Sequence, residues 1–491
     1  MIGRAWGVVS VYLFVPLYLK FLGIEAYGLV GFYSTLLGVL ALADMGLTAT
    51  LSREMARLEA REGAAGEMGD LLRTYESIYL GISLGLAAAI WLAAPSIAGR
   101  WLQAGTLPQG EIASAIRLMG IAIALQLPAN LYSGGLFGLQ RQVMANSLMI
   151  GWGVFRGGGS VLILWLVSPT IIAFSLWQIV SNAAYLFAVR SGIRQVLPAA
   201  RSKPGFKRTI LRKTWRYASG LAGLTLFSTI LKQSDKLAVS KLLPLEVFGY
   251  YTLAGSLAMA PVLLAGPIGL AVFPRLTGLA VAGDGGSLRR IYHRSCSLVS
   301  IAAFPASLTL ALYAGRFIYA WTGSAAAGDK VGTVASLLLI GQAMQAVTVV
   351  PYHLALAHGD TRLNLWIGLA SVVLIAPLLI FSIPKFGVIG GAISWLVMNV
   401  CTLPPYMYFL HRRFLPGEFR GWILHDVGRP LLASLPVVIL ASFLMPYSPV
   451  RLITFGQICL VWGLSAVSAT LAMPEFRDEL ILRTKRLLGP S

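Results

Sequence analysis

The chain is 491 residues long, 57% hydrophobic and only 12% charged, with a mean hydropathy of +0.75. Soluble globular chains carry about a quarter charged residues, so water is not the only solvent of this one. A net charge of +20 on a soluble protein would suggest nucleic acid; here the basic residues lie between apolar runs, which argues against that partner and for cytoplasmic loops facing anionic headgroups.

A helix crosses the hydrocarbon core with about 20 apolar residues. Spans are expected near 3–20, 27–50, 75–95, 113–132, 146–166, 170–189, 215–241, 249–273, 293–320, 333–357, 363–383, 387–410, 427–446 and 450–473. The expectation is an all-α integral membrane fold of about fourteen helices, each satisfying its lipid-facing backbone internally. Pro261 and Pro267 interrupt the eighth run and Pro436 the thirteenth. The first run follows Arg4 abruptly and lacks an A-x-A-type site, so no cleaved leader is expected, and a start a few residues upstream would fit. Most of the 39 Lys and Arg fall in alternate loops when counting starts inside. Both termini are therefore expected in the cytoplasm, with an even number of spans. Cys296, Cys401 and Cys459 lie far apart inside apolar runs and read as packing residues, without metal or disulfide spacing.

The longest basic stretch, 190–216, has no acid and divides the first six spans from the rest. Across it, KFLGIEAYGL from Lys20 matches KLLPLEVFGY from Lys241 at an offset of 221. Asn146 and Asn364, and Trp177 and Trp395, match at 218. Six spans repeat in the same order and direction, which implies parallel lobes about an axis along the membrane normal. The expected organisation is a first lobe at 1–190, a linker at 191–214, a second lobe at 215–411, two further helices at 412–473 and a basic amphipathic tail at 474–491.

The run FLGIEAYGL, then LADMGLTATLSREMA, and later QSDKLAVSKLLPLEVFGYYTLAGS, resemble the half-signatures of Wzx-type O-antigen and repeat-unit flippases. These are polysaccharide exporters of the multidrug/oligosaccharidyl-lipid/polysaccharide superfamily. The resemblance spans most of 1–411. It implies a MATE-like, V-shaped twelve-helix core with two added spans, and alternating access. It further implies an undecaprenyl-diphosphate-linked oligosaccharide as substrate, with polymerase or chain-length machinery as further partners.

Ionisable groups deep in a bilayer are functional candidates by default. Arg156 lies in the fifth expected span, and Lys232, Asp235 and Lys236 in the seventh at i, i+3 and i+4, on one helical face. One reading has Asp235 neutralising a lysine to knit helices together; the other has the surplus positive charge facing a wet cationic cavity that shelters a diphosphate, with Arg53 contributing. Asp44 and Asp235 are candidates for ion coupling. Nine residues, about 13 Å of rise, separate Asp44 from Arg53, so a partner for Asp44 must come from another span or across a break at Gly46. Gln126, Asn130, Tyr132, Gln140, Asn146, Trp177, Gln178, Asn182, Gln342, Gln345, His353, Asn364, Trp395 and Asn399 suit sugar hydroxyls, although packing between helices is the commoner role for any single one of them. No P-loop, metal or nucleophile constellation or large extramembrane domain is visible, so a non-enzymatic transporter without cofactor is expected. The rival readings are a cation-coupled multidrug exporter of the same fold, a peptidoglycan-precursor (lipid II) flippase and a membrane polymerase or ligase.

Overall fold

The computed structural model describes residues 2–198, 204–445 and 448–478. Among the described residues, twelve segments are long and apolar enough to cross a membrane. The first contains a reversal within helix α1 (Ile2–Leu40), where Gly23 takes φ 75° and ψ 172°, a conformation open to glycine. Depth markers confirm the turn. Tyr18 donates to the Gly157 carbonyl at 3.3 Å, while Tyr33, fifteen residues on, lies 3.5 Å from Asn182. Gly157 and Asn182 sit at similar distances from the turn joining α5 (Gln142–Leu166) to α6 (Ile171–Val196). Helix α7 (Arg208–Leu242), at 35 residues or about 52 Å, is long enough to cross but more polar.

The chain forms two compact units, 1–249 and 250–491, each described separately. In the first, the second crossing ends earlier than the expected 50. It closes in a 3₁₀ turn at Ala41–Asp44, Met45 and Gly46 take positive φ, and a separate helix α2 (Leu47–Glu59) begins. Leu47, Leu51, Met55 and Leu58 bury one face of α2, so its spacing is that of an amphipathic helix rather than a membrane span. Helices α3 (Ala65–Ser96) and α4 (Gln109–Gly138) follow, and α4 packs on both α3 and α6. The shared core joins Met55, Met68, Tyr75, Tyr79, Tyr132, Tyr185 and Ile193. The ends of α6 and α7 extend into the expected linker, leaving 197–207 between them. Asp70 pins the far side of this connection: its carboxylate accepts from the Gly205 amide at 2.8 Å and pairs with Lys207, whose own amide donates to Thr74 at 3.0 Å.

The matching decapeptides pack on one another. A side chain at Gly28 would meet the Leu245 carbonyl at 2.6 Å, and one at Gly249 would collide with the Ile24 carbonyl. Gly28 and Gly249, like Ile24 and Leu245, are 221 apart, so one glycine contact occurs twice, reciprocally, within the first unit. The loop 100–106 joins them: Glu25 accepts from the Gly105 and Thr106 amides at 2.6 and 3.0 Å, and the Leu245 amide donates to Gln103 at 2.8 Å.

The second unit continues through α8 (Leu245–Ala258), which straddles the division, and α9 (Ala260–Ala282). The break lies at Met259 and Pro261 opens α9, so the helix is interrupted there as expected, inside one candidate crossing, Leu245–Ala282. Asp284 caps α10 (Gly285–Leu312) by accepting from Ser287 at 3.0 Å, which holds its carboxyl below the usual range. The expected span 293–320 is split at Tyr313 into α10 and the short α11 (Ala314–Thr322). Next come α12 (Ala325–Ala346), α13 (Val349–Ala357), α14 (Arg362–Phe386) and α15 (Val388–Phe414). A one-turn helix α16 (Phe419–Gly421) and a π-helical stretch, Trp422–Gly428, lead into α17 (Arg429–Leu444) and α18 (Arg451–Leu471). These last helices dock on the unit through Tyr313, Val438, Ile458 and Val461. Cys296 is buried as expected, whereas Cys401 and Cys459 are exposed, as lipid-facing positions of a membrane helix can be. Beyond residue 478 the expected tail lies outside the described residues.

Candidate functional site

Arg156 stands near the middle of α5, half-buried. Its guanidinium lies over the Trp152 ring, 4.6 Å from the centroid. Residues four apart share a helix face, and Trp152 in turn stacks on Tyr185 at 4.6 Å and 18°. The Arg156 carbonyl accepts from the Trp177 indole at 3.2 Å and the Ser160 hydroxyl at 2.7 Å. Glycines 157 and 159 bring the wall close, since a side chain there would collide with Phe14 and Trp177 respectively. The hydroxyls of Tyr18 and Tyr33 lie within electrostatic reach of Arg156.

Among the described residues no carboxylate pairs with Arg156. A cation–π contact contributes about 0.5–2 kcal/mol, whereas an arginine at mid-bilayer costs at least about 2.5–3.5 kcal/mol on insertion scales. Trp152 therefore offsets only part of that cost, and water or an anion must supply the rest. Trp152 was not singled out from the sequence, although its i, i+4 relation to Arg156 was readable there.

The α7 trio does not share one environment. Asp235 is buried at 7% exposure, Lys232 is exposed, and Lys236 is half-buried with its ammonium 3.5 Å from the Lys232 carbonyl. No direct interaction joins these residues to Arg156 among the described residues. Helix α7 packs on α1, α2 and α3, while α5 packs on α1 and α6.

Asp44 does find its partner on another span. Tyr79 of α3 and Thr48 of α2 both donate to its carboxylate, and their two hydroxyls are 2.8 Å apart. The helix break at Gly46 is what lets Thr48 fold back onto Asp44. Arg53 is on the exposed face of α2, nine residues from Asp44.

The amides suggested for sugar also make contacts within the protein. Gln178 of α6 donates to Ser160 of α5 at 3.0 Å and Asn182 of α6 to the Ala122 carbonyl of α4 at 2.8 Å, whereas Asn399 donates within α15 to the Trp395 carbonyl at 2.8 Å. Asn364 accepts from Tyr406 at 2.9 Å, and His353 Nδ1 lies 2.7 Å from the Val349 carbonyl. Two networks were not foreseen. Glu76 gathers Tyr132, Arg73, Arg190 and Arg194. In the second unit His293 lies between Asp426 at 2.5 Å and Glu418 at 3.1 Å, with Arg289 also on Glu418 at 2.9 Å. Among the described residues no cluster of three His, Cys, Asp or Glu side chains suits a metal ion.

Comparison with known proteins places this geometry. The chain is 23% identical over 377 residues to a putative O-antigen transporter of Shigella flexneri, covering 76% of this chain and 87% of the relative. Its fold matches a structure of the lipid II flippase MurJ in an inward closed conformation, with a TM-score of 0.74, 13% identity and 98% of each chain covered. It also matches an inward-facing multidrug resistance MATE family transporter, with a TM-score of 0.65, 15% identity and coverage of 86% and 95%. The family model described as polysaccharide biosynthesis protein matches residues 9–279, more than half the chain, and this multi-pass membrane protein belongs to that family.

Proposed function

We propose that the protein flips an undecaprenyl-diphosphate-linked oligosaccharide repeat unit from the cytoplasmic to the outer leaflet of the inner membrane, by alternating access, for surface polysaccharide synthesis. The observation that carries the reading is Arg156: a mid-depth guanidinium with an aromatic face beneath it and no carboxylate partner among the described residues. A diphosphate cannot enter hydrocarbon bare, and a planar guanidinium replaces part of its hydration through paired N–H donors. Lys232 and Lys236 add positive charge along α7 without closing a cage, which favours release as well as capture. The similarity to a relative named as an O-antigen transporter supports the sugar-lipid substrate. Outward movement of each negative charge gains about 2.3 kcal/mol per 100 mV of inside-negative potential. Asp44, held by two hydroxyls rather than by a cation, is the first candidate for any proton or sodium coupling, with Asp235 the second.

The test is a deletion strain assayed for lipid-linked oligosaccharide trapped in the inner leaflet. Accumulation that is relieved by the wild-type gene supports the reading. A strain with normal surface polysaccharide and no trapped intermediate contradicts it, and loss of drug resistance or of peptidoglycan precursor export instead would favour one of the rival transporters.

A further inference from the structure

A second cationic cluster sits in the first unit, away from Arg156. Glu76 of α3 is nearly enclosed, with 12% side-chain exposure, and three arginines converge on it: Arg73 at 2.9 Å, Arg190 at 3.2 Å and Arg194 at 3.8 Å. Tyr132 also donates to it, on the same oxygen as Arg190. Arg190 lies eight residues beyond Asn182 on α6, about 12 Å along the axis, towards the end that the positive-inside rule assigns to the cytoplasm.

The bland reading is a clamp between α3 and α6. Counting donors decides against that as the whole account. Three arginines bring five N–H groups each, against the two oxygens of one carboxylate, and the local charge remains +2. Glu76 is already occupied by Tyr132, Arg73 and Arg190, so Arg194, at 3.8 Å, adds little to a clamp. The arginines are 53%, 43% and 57% exposed, so their remaining donors face outward. Fixed forks at headgroup depth match phosphate oxygens better than they match water.

We propose that Arg73, Arg190 and Arg194, gathered by Glu76, form a docking site for the phosphate of a lipid headgroup at the basic end of the first unit. The site stands independently of the flippase reading. Either an anionic glycerophospholipid or a diphosphate lipid carrier could supply that phosphate, and binding separates them. The purified full chain, in zwitterionic nanodiscs, is titrated with phosphatidylglycerol and separately with undecaprenyl diphosphate, with retained lipid counted by native mass spectrometry. Arg194→Gln should weaken binding of one or both lipids about fivefold to tenfold, and Arg190→Gln with Arg194→Gln by fifty-fold or more, given that each charged hydrogen bond is of the order of a decade in affinity. Arg412→Gln, an exposed arginine of the second unit, should change neither. Loss confined to phosphatidylglycerol identifies a bulk-lipid site, and loss confined to undecaprenyl diphosphate identifies a carrier site. Arg194 is exposed and weakly paired, so its replacement leaves the fold intact even if the double variant is unstable. If Arg194→Gln binds both lipids within twofold of the wild type, the proposal is overturned, whatever the transport assay gives.

Discussion

Replacing Gly249 by alanine tests the reciprocal contact of the two decapeptides. A methyl group there collides with the Ile24 carbonyl, a backbone atom that cannot rotate aside, so α1 and α8 must separate. Overpacking of this kind costs about 1–3 kcal/mol, while alanine gains up to about 1 kcal/mol in helix propensity over glycine. The net expectation is a loss of about 1 kcal/mol, within a range of about 0–2 kcal/mol. Gly28→Ala meets the Leu245 carbonyl at 2.6 Å and the Leu245 side chain at 3.0 Å, and should cost a similar amount. Because one separation of the segments relieves both clashes, the double variant should lose less than the sum, with a coupling energy of about 1 kcal/mol. Gly255→Ala is the internal control. It lies on the same helix with no heavy atom within 4 Å, so only propensity remains and the variant should be neutral or more stable. Thermal unfolding of the purified protein in detergent, followed by size-exclusion chromatography, ranks the four. A Gly249→Ala protein melting with Gly255→Ala, or a strictly additive double variant, would refute the argument.

Two further perturbations address the polar networks. Tyr79→Phe removes a hydroxyl that donates to Asp44 from a side chain only 1% exposed, and should destabilise the protein by about 1–2 kcal/mol. Asp44→Asn should remove most of that penalty from the Tyr79 variant in a double-mutant cycle, and a coupling near zero would show that the pair does not hold the break at Gly46. His293→Ala leaves Asp426, which is 4% exposed, with the Ser297 hydroxyl but without the imidazole that offsets its charge, and should cost about 3–5 kcal/mol. An unchanged melting temperature would mean that the His293 cluster does not anchor the π-helical stretch before α17.

Hydropathy made the crossings legible because burial in lipid is written locally, about 20 residues at a time. The break at Gly46 was only half legible: Asp44 could not reach Arg53 along one straight helix, which left a break or a partner on another span, and the expected span still ran through to 50. The offset of 221 was legible as identity, and it became physical in the paired glycines Gly28 and Gly249. The second offset was less informative. Trp177 packs on Gly159 of α5, whereas Trp395 packs on Gly341 of α12, and these helices are not equivalent in the repeat. What stayed hidden was pairing across the chain. Glu76 meets Arg190 at a separation of 114, Tyr79 meets Asp44 at 35, and His293 meets Asp426 at 133. No periodicity encodes such distances, since each depends on which helix ends come together. The lysines of α7 illustrate the converse. Their i, i+4 spacing placed Lys232 and Lys236 on one side, but it could not say that Asp235 alone would be buried.

The most direct test of the account is translocation of an undecaprenyl-diphosphate-linked oligosaccharide by the protein in liposomes, comparing wild type with Arg156→Gln and Arg156→Lys. The account predicts that Arg156→Gln slows translocation at least about tenfold, the loss of one charge-assisted phosphate contact, and that Arg156→Lys retains an intermediate rate because charge survives without the planar fork. Wild-type translocation by Arg156→Gln, with the protein folded, would contradict it.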